Sequence, residues 1–241
     1  MVVKYAEITE NLSASRLRTY RTALTHQVSG LTTADTVKSY FLLNDISQHF
    51  FVPLQLVEVV LRNRINDHII NFKRKSHWYD SVPATVKAKD AVTKAKDLAQ
   101  AEVKTPTADD VVCRLTFGFW ANLLDKPHRD TTSADHFLWD QHSFKKVFPG
   151  AERSVSIGVA CVRLIALNTL RNRLFHHEPI WKSKQVTSLE SAIKTVEAQY
   201  EDLLEVLRWL SPEKHALLKA WSFSGRMAMA CDATRFDRDL W

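Results

Sequence analysis

Along most of this chain, apolar residues recur at steps of three and four, the spacing that lines one face of an α-helix. The run SASRLRTYRTALTHQV, residues 13–28, has this period behind a serine-rich start, where Ser13 or Ser15 can cap it. A second run, TADTVKSYFLLNDISQHFFV (33–52), carries Thr33 or Asp35 near its beginning. Pro53 then suits the first turn of a third helix, which continues through LQLVEVVLRNRINDHIINFKRK. Its stripe is Leu54, Val57, Leu61, Ile65 and Ile69. After a break over 76–83, residues 84–104 read as an Ala/Lys-rich helix with a thin apolar face, suited to an outer, solvated position. Pro106 breaks the pattern again. TADDVVCRLTFGFWANLL (107–124) reads as one helix opened by acids and continued by aromatics. Residues 125–150 hold Pro127, Pro149 and Gly150 and show no period. A long apolar-faced helix follows over 154–177, ended by Pro179, because the residue before a proline is held out of helical geometry. Helices over 187–210 and from Ser211-Pro212 to Trp221 complete the pattern, and the tail to Trp241 is unassigned.

The expected fold class is therefore all-α, a helical bundle. The breaks are short, so we read residues 1–241 as one helical domain or two helical halves packed together. Only 5 glycines and 7 prolines in 241 residues agree with long elements and few turns. The three cysteines, Cys113, Cys161 and Cys231, form no C-x-x-C pair, so they read as reduced core thiols of a cytoplasmic protein. No signal peptide and no run of ~18 apolar residues is visible, so neither export nor a membrane partner is expected. The net charge of +6 permits a polyanionic partner without requiring one.

One stretch concentrates polar chemistry: RNRLFHHEPIW, residues 171–181. On a helix, a four-residue step turns ~40° and climbs ~6 Å, so Asn172 and His176 share a face. Arg171 lies ~140° from His176, within reach of a long side chain. Histidine can give or take a proton near neutral pH, and arginine can stabilise charge on a phosphate. Cleavage of RNA needs these groups, because the ribose 2′-hydroxyl is itself the nucleophile. The plainer alternative is structural: arginine, asparagine and histidine can tie down carbonyls at a helix end. Metal binding by His176 and His177 is disfavoured, since adjacent helical residues diverge.

An echo stands at LRNRINDH (61–68), pairing Leu61–Ile65 with Leu170–Leu174. With LSASRLRTY, FVPLQLVEVVLRNRINDHI, LTFGFWANLL and LRNRLFHHEPIW in this order over residues 12–181, the chain resembles the Abi-like family of bacterial abortive-infection proteins, within the HEPN superfamily of helical ribonucleases. The region after 182 adds little to the likeness. The resemblance implies a HEPN-like bundle and a catalytic set of Arg171, Asn172 and His176, with His177 also at an allowed spacing. It implies a metal-independent and cofactor-free endoribonuclease that leaves 2′,3′-cyclic phosphates. It also implies two motifs meeting across an interface, usually in a homodimer.

Two arrangements of the paired motifs are open. Arg62, Asn63 and His68 can form a second motif facing the first within one chain. Alternatively, Glu58 or Asn63 orients Arg171, and the site forms between chains; we favour this one. Arg62 can also be a structural partner of Glu58, one turn earlier. Phe117, Phe119 and Trp120 suit a core better than base stacking, and Gly118 can admit a close helix. Trp181 is a candidate cleft wall, and Lys182 and Lys184 are candidate phosphate contacts. Beside RNA, the expected partners include a phage-derived trigger or an antitoxin. A non-catalytic RNA- or protein-binding module and a toxin are the rival functions. Some HEPN toxins carry a modified tyrosine after the motif, where this chain has Glu178.

Overall fold

The computed structural model describes residues 5–24 and 32–237. Over these the chain is all-α, with no strand. No helix among them is long and apolar enough to cross a membrane. The chain divides into two compact units. One takes the described residues up to Pro53, Asn172–Asp202, and those from Leu217 onward; the other takes Leu54–Arg171 and Leu203–Ala216.

The first unit opens with α1 (Tyr5–Leu12) and α2 (Ala14–Leu24) packed against α3 (Thr33–Gln48). The run expected from residue 13 is thus the second of two helices, and residues 25–28 of it lie outside the described residues. Ser13 breaks the chain at φ 61°, and its hydroxyl accepts the Arg16 N–H to cap α2. Thr32, one residue before the expected start, caps α3 in a reciprocal capping box with Asp35. Tyr20 meets Tyr40 and Trp181 edge-on at 5.2 Å each, and Phe50 meets Tyr200 at 5.3 Å. The tail left unassigned forms α12 (Phe223–Ala230) and α13 (Thr234–Asp237), both against α3.

The second unit is built around α4 (Phe51–Lys73), which begins two residues before Pro53. Leu54, Val57, Leu61, Ile65 and Ile69 are all buried, as their spacing predicts. The break after α4 is not an outer loop: Trp78 and Tyr79 sit in a 3-10 turn and are buried, and the Trp78 indole donates to Asn66 Oδ1 at 2.9 Å. The outer helix is α5 (Val86–Glu102), which buries only Val92, Ala95 and Ala99. The single helix expected over 107–124 is two, α6 (Ala108–Val112) and α7 (Phe117–Asn122). The cause is local: Thr116 accepts the Phe119 N–H and starts a new helix four residues after the first has ended.

In the aperiodic region, Asp140 caps α8 (Gln141–Val147), an element too short to show a period. Gly150 follows, and its N–H donates to the Trp209 carbonyl at 3.0 Å. A Cβ at Gly150 would stand 2.1 Å from the Arg208 carbonyl oxygen, so this glycine is required by close approach. α9 (Ile157–Phe175) and α10 (Leu189–Leu210) match their predicted spans within three residues. α11 (Pro212–Ala220) carries Pro212 at its first position. Two of the cysteines are core thiols, and burial raises both, Cys231 to about 11; Cys113 is solvent-exposed.

Candidate functional site

The stretch 171–181 is the end of α9 and the turn beyond it. α9 stops by a Schellman motif: the His177 N–H donates to the Leu174 carbonyl at 3.1 Å and the Glu178 N–H to that of Arg173 at 2.8 Å. The left-handed residue of this motif is usually glycine; here it is His177, at φ 56°. Its carbonyl accepts the Arg16 guanidinium at 3.1 Å, and Arg173 donates to the Lys182 carbonyl at 2.9 Å. The turn is thus tied from both sides while His176, His177 and Glu178 stay exposed.

Arg171 is half-buried, with its Nε 3.5 Å from Glu58 Oε2 of α4. At about one-third exposure, such a pair contributes no more than ~1 kcal/mol, so its value lies in orientation rather than stability. Next along the helix, Asn172 is exposed. The His176 N–H donates to the Asn172 carbonyl at 2.9 Å, which keeps the two in helical register. The solvent side of α9 carries Val159, Val162 and Ile165, exposed at 43%, 69% and 43%. Their spacing of three continues along the helix through Thr169 in steps of three and four, the seam of a helix that packs on another helix. The spacing was visible, but it could not reveal which face of α9 was left uncovered.

The echo motif is placed differently. Arg62 donates through Nε to its neighbour Asn63 at 3.1 Å, and the carboxylate of Glu58 faces Arg171 instead. His68 is a correction. It is only 7% exposed, its Nε2 donates to the Leu138 carbonyl at 3.0 Å, and it stacks against Trp139 and Phe72. Burial pushes its pKa down, so it is a neutral clasp for the loop before α8 rather than a proton carrier. Trp181 is a second correction. At 1% exposure it belongs to the core against Tyr20 and offers no face to a base. Lys182 and Lys184 are exposed. Phe117, Phe119 and Trp120 are core, with Trp78 5.7 Å from Trp120. Gly118 brings α7 onto α9: a Cβ there would meet the Asn168 amide at 3.2 Å, one turn before Asn172. Among the described residues, no three His, Cys, Asp or Glu side chains gather as a metal site requires.

No family model, curated protein or solved structure matches this chain.

Proposed function

We propose that the chain is an endoribonuclease of the Abi-like, HEPN type, which cuts single-stranded RNA through attack of the ribose 2′-hydroxyl. The observations that carry this reading are two: within the second unit Glu58 faces Arg171, and within the first unit Asn172 and His176 are exposed where α9 ends. The motif resemblance supplies the reaction. His176 moves a proton to or from the 2′-hydroxyl or the leaving 5′-oxygen. Arg171 balances charge on the phosphate, and Asn172 orients one of them. Lys182 and Lys184 draw in the strand. The product would be a 2′,3′-cyclic phosphate, and the setting would be phage defence in the cytoplasm.

The working form would be a homodimer. The exposed Val159–Val162–Ile165 stripe gives a second copy of α9 an apolar seam that runs toward the motif. The buried, carbonyl-bound His68 supports a site completed by a second chain rather than by the echo motif.

The test is cleavage of single-stranded RNA in EDTA. Wild-type protein should cut RNA, leave DNA intact and yield cyclic-phosphate ends. Arg171→Ala and His176→Ala should each lower the rate by roughly 10²–10⁴ while remaining folded. Equal activity in both variants removes the assignment. RNA binding without cleavage by the wild type points instead to a non-catalytic binding module.

A further inference from the structure

The last three turns of α4 and the length of α8 line a cleft of about 640 Å³ within the second unit. It lies roughly two to four helical turns beyond Glu58: on a rise of ~1.5 Å per residue, Arg64 stands ~9 Å further along the chain and Arg74 ~24 Å. Arg64, Arg74 and Lys146 line it together with His142. Arg64 donates to the Lys146 main-chain carbonyl at 3.2 Å, which holds its guanidinium against the end of α8. Arg74 is held at φ 56°, a conformation uncommon for arginine, immediately after the helix. Lys73 and Lys75 flank it in sequence.

Two carboxylates also line the cleft. Asp140 spends its charge as the cap of α8, accepting the Ser143 N–H at 2.6 Å, which holds it below the usual carboxylate range. Asp67 is exposed beside Asn71. The apolar contribution is Phe72, 43% exposed, stacked on the His68 ring that itself stacks on Trp139, with Lys73 Nζ 5.3 Å from the Phe72 centroid. Cations around a space this size, beside a partly uncovered ring, match a phosphate group attached to an aromatic base.

We propose that this cleft binds a nucleotide, with the phosphate between Arg64, Arg74 and Lys146 and the base against Phe72. The nucleotide can be free or part of an RNA strand, since both present the same chemistry. The site does not depend on the nuclease reading, and its test avoids cleavage. Binding of the full chain to a 2′-O-methyl oligonucleotide, which has no free 2′-hydroxyl to attack, is measured over a range of salt. AMP and inorganic phosphate are titrated separately by calorimetry.

The double variant Arg74→Gln/Lys146→Gln, with unchanged circular dichroism and thermal midpoint, should bind the oligonucleotide at least tenfold more weakly. For a strand, its log–log salt slope should shrink by roughly 0.7 per lost contact, about 1.4 for two. AMP should compete with the oligonucleotide and bind more tightly than phosphate if the free nucleotide is the natural source. Oligonucleotide binding that AMP does not disturb, yet that falls in the double variant, assigns the cleft to RNA. Wild-type affinity and slope in the double variant overturn the proposal. So does a wild-type chain that binds none of the three probes.

Discussion

At the scale of single residues, Glu58 and Arg171 pose a question that energy alone does not answer. Their pair is long and partly solvated, so removing it should barely move stability. Glu58→Gln is therefore expected to shift unfolding by less than ~1 kcal/mol yet to depress RNA cleavage, if the carboxylate sets the guanidinium's direction. Parallel denaturant melts and initial rates check this; a loss of stability with full activity would reduce Glu58 to scaffolding. His177 poses the reverse case. A non-glycine residue in the left-handed region costs on the order of 1 kcal/mol, so His177→Gly should raise the denaturation midpoint. The polar cluster itself was legible, because its residue types and helical spacing are written in the chain. Burial was not: Trp181 and His68 sit beside exposed neighbours, and only tertiary packing decides which of two adjacent side chains faces inward.

At the scale of elements, the long stripes of α4, α9 and α10 gave their own positions away. The splits did not, although each has a local cause. Thr107 and Thr116 lie nine residues apart, and both act as helix caps inside what period alone reads as one helix. The same competition hides the loop before α8, which is held by histidines donating to backbone. His128 donates to the His136 carbonyl at 3.0 Å, His136 to that of Val82 at 2.9 Å, and His68 to that of Leu138. Burial lowers the pKa of His68 and His128 below the ordinary 6.5. The folded chain therefore declines protons that the unfolded chain accepts. Stability is full above pH ~6.5 and falls as pH drops from there toward the folded values. Thermal midpoints measured from pH 7.5 to 5.5 should decline, and His128→Gln should flatten the decline even though it lowers the starting value. A flat wild-type profile would count against the clasp.

At the scale of the whole molecule, fold class was the most legible property, since few glycines and a sustained helical period leave little else open. The boundaries of the two units were not: they fall inside α4, α9, α10 and α11, where no linker marks them. Assembly lies at the same scale. If the bare α9 stripe is a dimer seam, Val162→Asp should turn a dimer into a monomer in a solution mass measurement, with cleavage lost and helicity intact. A wild-type chain that is monomeric at every concentration, and still active, would place the whole site in one copy.

The junction at Gly150 carries a consequence for how this sequence can vary. A main-chain oxygen fills the space where any side chain would begin, and Pro212 Cγ stands 2.9 Å from the same point. Neither neighbour can swing aside as a flexible side chain would. In a saturation library, position 150 should tolerate nothing larger than a hydrogen, whereas Glu152, Arg153 and Ser154, exposed just beyond it, should accept most replacements.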